Sequence, residues 1–105
     1  MTVITYFIYY MPYVQKGMRK LYCGYTRDPA RREADHRRET RYKWDGELRV
    51  VEFFDTNDTQ TTSEALAREQ YHKNVKTGKK WAWYEKGLPA SIYKDYHPKP
   101  IVEAV

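Results

Sequence analysis

Arg32 and His36 stand four residues apart in the charged run Pro-Ala-Arg-Arg-Glu-Ala-Asp-His-Arg-Arg-Glu, which begins at Pro29. On a helix that spacing stacks both side chains on one face, where a cationic pair can address a single phosphate. Besides Pro29 the run has only Ala30 and Ala34 as apolar residues, so it offers little for burial. A solvated helix of ordinary charges satisfies the same pattern. Glu69 follows Ala65 by four residues and Leu66 by three, which predicts a carboxylate on the inward side of a second helix. Burying a carboxylate is costly unless something pairs with it. A basic partner such as Arg32 or Lys73 would do so, and so would a hard divalent cation. Tyr9 and Tyr22 lie in two strand-like runs, Phe7-Ile8-Tyr9 and Tyr22-Cys23-Gly24.

Positive charge is concentrated around the first of these helices. Residues 27–43 hold seven basic side chains (Arg27, Arg31, Arg32, Arg37, Arg38, Arg41, Lys43) against four acidic ones, more than half of the formal net charge of +5. Tyr42 and Trp44 border the run, and aromatic faces beside Arg and Lys suit unpaired bases and phosphates together. Arg27, Arg31, Arg37, Arg38, Arg41, Lys43 and Trp44 are therefore the candidate nucleic-acid contacts. A basic patch attracts a polyanion but catalyses nothing by itself.

The chain of 105 residues is long enough for one compact domain, read as a core over residues 3–78 with an aromatic, basic extension over 79–105 packed on it. Aromatics make up 16% of the residues, enough for large side chains to fill a core. The single Cys23 excludes an intramolecular disulfide and, with three scattered histidines, lacks the spacing of a structural zinc site. A reducing, cytoplasmic compartment fits. The apolar residues 3–11 are too few to span a bilayer and follow no basic segment, so neither membrane insertion nor export is expected.

The elements that must position these groups follow in order. Residues 3–11 and 21–26 read as strands joined in a hairpin with a long polar loop containing Pro12 and Gly17. Asp28 before Pro29 starts a helix reaching about residue 39. Residues 47–54 read as a central strand and 55–62 as loop. Thr61 and Glu64 have capping-box spacing for a helix that continues to residue 75, with Gly78 as its stop. Beyond it Trp81, Trp83, Tyr84, Leu88, Ile92, Tyr93 and Tyr96 suggest short turns held by aromatic anchors. The order strand, strand, helix, strand, helix is an α+β or three-layer pattern.

Taken in sequence, Ile8-Tyr9, Tyr22-Cys23-Gly24-Tyr-Thr, Arg31-Arg32, His36, Val50-Val51-Glu52-Phe53-Phe54 and Ala65-Leu-Ala-Arg-Glu69 resemble the GIY-YIG nuclease family over roughly residues 6–75. Each motif is common alone; their order and spacing make the match specific. The resemblance implies a small mixed, mainly antiparallel three-stranded sheet flanked by helices. It implies a metal-dependent endonuclease acting on DNA, with Tyr9, Tyr22, Arg32 and His36 catalytic and Glu69 holding one Mg²⁺ or Mn²⁺. In that scheme Tyr9, assisted by Tyr22 or His36, orients or deprotonates water, and Arg32 with the metal supplies the positive charge that a group of pKa about 10 requires. Phe7 replaces the first motif glycine, Cys23 an aliphatic residue and Glu33 an apolar one, and no late asparagine stands out. Two rival readings remain: a noncatalytic nucleic-acid-binding module in which Glu69 is a structural ion pair, and a protein-interaction domain using the Trp/Tyr tail.

Overall fold

β1, Ile4–Gln15, is the axis of the structure. Its Ile, Tyr, Phe and Val side chains favour a pleated strand, and residues 5–12 are all buried. Burial on both faces requires cover on both sides, which the helices provide. The computed structural model describes residues 4–56, 61–74 and 77–87, and all statements below concern these. β1 turns through Lys16 and Gly17, both at positive φ (52° and 74°), into β2, Met18–Thr26. A two-residue turn of this kind matches the twist of the paired strands. The long hairpin loop expected from the sequence is thus replaced by an extension of both strands.

On its other edge β1 pairs antiparallel with β3 (Lys43–Trp44) near Tyr13 and with β4 (Arg49–Thr56) from Ile4 to Tyr10. The sheet therefore has four strands rather than three, the added one being two residues long. Pro12 sits between these two pairings. Its carbonyl accepts from Asp45 N at 2.9 Å, so its missing N–H faces the gap where β4 has left and no donor is needed. β4 begins two residues later than the sequence suggests and runs through Asp55 and Thr56, which had read as loop.

Alternation along β1 builds two cores. Phe7, Tyr9 and Met11 pack with Leu48 and Val50 on one face. Ile8 and Tyr10 pack with Cys23 on the other, against half-buried Trp83 and Tyr84.

The first face is covered by α1, Pro29–Arg38, which Asp28 caps through Oδ1 accepting from Arg31 N. With no apolar stripe, α1 docks by other means. Pro29 and His36 are its buried residues. Glu33 Oε2, in the place of an apolar residue, accepts from Leu48 N at 3.1 Å and from Arg37 Nη2 at 3.0 Å. A polar clasp thus does the work of hydrophobic burial.

The second face is covered by α2, Thr61–Lys73, and α3, Thr77–Glu85. Ala65, Glu69 and His72 form the inward face of α2, at i, i+4 and i+7. Leu66, expected beside Glu69 on that face, is 47% exposed instead. Glu64 pairs with Arg68 at 3.0 Å; the capping-box reading also needs the Thr61 side chain, which lies outside the described part. α3 corrects the expectation of short turns and contains Gly78 near its start rather than using it as a stop for α2. Its Trp83 and Tyr84 dock on the core, and packing of this kind overrides weak local propensity. Leu88, Ile92, Tyr93 and Tyr96 lie outside the described residues. Among the described residues no helix is long and apolar enough to cross a membrane.

Candidate active site

Tyr9 points from β1 toward α1, where its hydroxyl lies 2.7 Å from His36 Nε2. Both residues are at most 3% exposed. The Nδ1 of His36 is 3.6 Å from Glu39 Oε1, too long for a hydrogen bond yet close enough to favour a proton on Nδ1. Nε2 is then the acceptor and Tyr9 donates to it. Burial pushes the Tyr9 hydroxyl well above the ordinary phenol range, Tyr22 adds to the shift and Arg32 opposes it. Burial likewise lowers His36 below its ordinary value, outweighing the opposite pull of Glu39. A buried His36 held neutral is no partner for a cationic pair, so the Arg32–His36 pair expected from helical spacing does not form.

Arg32 instead lies exposed, its side chain with no hydrogen bond or ion pair among the described residues. It lines a cleft of about 480 Å³ with Arg27 and Arg31, balanced by Asp28 and Asp35. Tyr22 stacks beside Tyr9 at 6.2 Å and meets His36 edge-on at 4.8 Å. Burial first, then the Glu69 charge, raises the Tyr22 hydroxyl. Gly24, opposite Tyr9 in the β1–β2 register, makes this close packing possible. A Cβ there would lie 2.6 Å from the Tyr9 hydroxyl and 3.1 Å from the Tyr22 ring. No substitution at Gly24 leaves Tyr9 in place.

Glu69 is 8% exposed and arrives from α2 at β2. Cys23 Sγ donates to its backbone carbonyl at 3.8 Å, and burial followed by the Glu69 charge pushes that thiol up to about 12. Lys73 Nζ contacts Glu69 Oε1 at 2.5 Å, so of the two basic partners considered from the sequence the structure uses Lys73. The charge of Glu69 also acts on Tyr9, as does that of Arg32. Tyr9, Tyr22 and His36 are thus brought into contact from β1, β2 and α1, whereas Arg32 in its cleft and Glu69 on α2 act on Tyr9 through their charges.

The basic patch divides. Arg37 is taken up by Glu33 and by Gly46 O at 3.1 Å, a structural use. Arg38 is 79% exposed over Asp35, Lys43 is exposed, and the Arg41 guanidinium lies 4.8 Å above the Tyr42 ring. Trp44 is half-buried among Tyr13, Tyr22, His36 and Tyr42, forming a wall beside His36 rather than an open stacking surface.

No group of three or more His, Cys, Asp or Glu able to hold a metal occurs among the described residues. The donor set is one carboxylate, that of Glu69. This suits an ion of the Mg²⁺ kind, which keeps several waters and is bound by one or two carboxylates together with substrate phosphate.

A site of a buried and a half-buried tyrosine, a neutral histidine, an unengaged arginine and a single carboxylate, set across an antiparallel sheet, is one suited to acting on a phosphate. The sequence profile of the GIY-YIG catalytic domain matches residues 4–81. The chain belongs to the GIY-YIG family, a family of nucleases. No curated protein and no solved structure matches it.

Sequence reasoning missed a second tyrosine–histidine pair. Tyr10 lies 2.7 Å from His72 Nδ1, and His72 Nε2 is 3.0 Å from Glu52 Oε2. The signal was available in part: adjacent residues of a strand point to opposite faces, so Tyr10 had to meet a different helix from Tyr9.

Proposed function

We propose that this domain is a metal-dependent endonuclease hydrolysing a phosphodiester bond in DNA. The observation that carries the reading is the Tyr9–His36 hydrogen bond, with the charges of Arg32 and Glu69 both acting on the Tyr9 hydroxyl. Hydrolysis requires an activated water, stabilisation of charge on the phosphoryl oxygens, and help for the leaving oxygen. Glu69 would hold one Mg²⁺ or Mn²⁺, which when bound polarises the phosphate and stabilises the leaving oxygen.

The protein's own groups supply the rest. Arg32, its side chain exposed and without a partner among the described residues, offers fixed planar donors to a nonbridging oxygen. Tyr9 is too deeply buried to persist as a free tyrosinate. It can accept a proton from water as its own proton passes to His36 Nε2, leaving imidazolium beside the Glu39 carboxylate. Tyr22 and Trp44 wall the His36 ring and keep it oriented. Arg27 and Arg31 in the cleft, with Arg38, Arg41 and Lys43 beyond it, hold the flanking backbone. The single buried Cys23 accords with action in a reducing, cytoplasmic compartment.

The noncatalytic binding module draws on the Lys73–Glu69 contact, which could be a structural ion pair. Glu69→Gln separates the two. As a nuclease residue, its replacement abolishes cleavage of duplex, single-stranded or branched DNA in Mg²⁺ while binding persists. Because the Lys73 side chain is 44% exposed and can turn to water, the melting temperature changes little. Cleavage that survives in Glu69→Gln overturns the assignment.

A further inference from the structure

Glu69 and Lys73 form an asymmetric pair. The Glu69 side chain is 10% exposed and its backbone carbonyl is tied to β2 by Cys23, whereas the Lys73 side chain is 44% exposed and reaches in from the last turn of α2. That last turn is itself held, since Lys80 Nζ donates to the Lys73 carbonyl at 2.7 Å. The carboxylate is therefore fixed, and the ammonium is free to move on a flexible stem. At 2.5 Å the ammonium occupies Oε1, one of the two carboxylate oxygens open to a divalent cation, and sets a positive charge beside the other. An ammonium and a divalent ion repel one another and cannot both sit at contact distance on one carboxylate oxygen.

We propose that Lys73 is a resident counter-ion that competes with the divalent cation for Glu69 and, when released, moves to a phosphate oxygen of the nucleic acid. The inference rests on Glu69 being the metal ligand. Its consequence is that cofactor loading is tied to substrate. Without nucleic acid, binding the metal means pushing Lys73 into water. With a phosphate beside Glu69, Lys73 gains a second anion and the metal would gain a phosphate oxygen as ligand. Metal and nucleic acid then tighten each other's binding by the same factor. The other cations are placed differently: Lys80 is engaged with the Lys73 carbonyl, and the Arg32 side chain is without a partner among the described residues.

Mn²⁺ binding to the intact chain, followed by the electron paramagnetic resonance signal of free Mn²⁺ in the absence of nucleic acid, tests this directly. Lys73→Gln is expected to bind Mn²⁺ about tenfold more tightly than the parent. Lys73→Arg, whose guanidinium grips a carboxylate with two donors, is expected to bind it more weakly. In a Tyr9→Phe background, which suppresses cleavage, adding duplex DNA should tighten Mn²⁺ binding, and by a smaller factor once Lys73→Gln is also present. If Glu69→Gln loses Mn²⁺ while Lys73→Gln matches the parent, the role of Lys73 is overturned and the metal reading stands. If Glu69→Gln binds Mn²⁺ as the parent does, the metal reading fails and takes this inference with it. Should thermal melting show Lys73→Gln to be unfolded, Lys73→Arg decides alone: affinity equal to or above the parent's overturns the proposal.

Discussion

Tyr9 and Tyr10 are neighbours on β1, and each ends 2.7 Å from a nitrogen of a buried histidine, on opposite faces of the sheet. Behind Tyr10 every group is satisfied. His72 Nε2 donates to Glu52, Glu52 pairs with Arg68, and Arg68 pairs with Glu64 and covers the Phe54 ring at 4.2 Å. Behind Tyr9 the network is open. His36 Nδ1 and Trp44 Nε1 are buried without a hydrogen-bond partner, and the nearby Arg32 side chain has none among the described residues. A filled network rigidifies, whereas an unfilled one keeps donors and acceptors in reserve for a ligand. The same tyrosine–histidine pair is thus a strut on one face and, in the proposed nuclease, a proton path on the other, according to what surrounds it.

Removing one hydroxyl from each face tests that contrast most severely. Tyr9→Phe and Tyr10→Phe each leave a buried imidazole nitrogen without its donor, at a cost of about 1–3 kcal/mol in either case. In cleavage the two diverge: Tyr9→Phe is expected to lose about 100- to 10,000-fold, and Tyr10→Phe to keep the parent's rate. Denaturant unfolding and a cleavage time course on both variants give the comparison. Equal loss of activity would show that the Tyr10 network also serves the chemistry.

The two arginines come next. Arg32→Ala should reduce turnover by about 100- to 1,000-fold with an unchanged melting temperature, since it removes only a charge-stabilising donor. Arg68→Ala should do the reverse, costing about 1 kcal/mol of stability through Glu52 and Glu64 while cleavage continues. Turnover and melting measured on the same preparations check both.

Acid provides a smaller and graded effect. Burial lowers both His36 and His72 below the ordinary 6.5, so the unfolded chain takes up protons first as the pH falls. Stability is therefore fully present above that value and declines as the pH drops below it, until the folded histidines also protonate. Melting followed from neutral to mildly acid pH should show the decline, and His72→Gln should flatten it. Cleavage should also have an acid limb below pH 6.5, set by His36 because its acceptor nitrogen must be free. His72→Gln should leave that limb in place, and its disappearance would remove His36 from the proton path.

Smallest of all are the effects of the outer cations. Arg38→Ala or Lys43→Ala should weaken DNA binding at every sequence and reduce its salt slope by about 1 for each cation removed. Arg37→Ala should instead loosen α1, because Arg37 is engaged by Glu33 and Gly46.

The sequence by itself determined the outline: strands from their aromatic and β-branched runs, the start of α1 from Asp28 and Pro29, the family from the order of its motifs, and the five candidate residues from their place in those motifs. It did so because these signals are local, each carried by a few neighbouring side chains. It could not show that α1 docks through the Glu33 clasp, that α3 is a helix, or that Leu66 faces outward, since each depends on what an element meets across the fold. Spacing suggested a cationic Arg32–His36 pair, but protonation follows burial, and burial is a property of the folded whole. Only tertiary structure decided that Lys73 holds Glu69, and that two adjacent tyrosines, alike in the sequence, lie one in a closed network and the other at an open site.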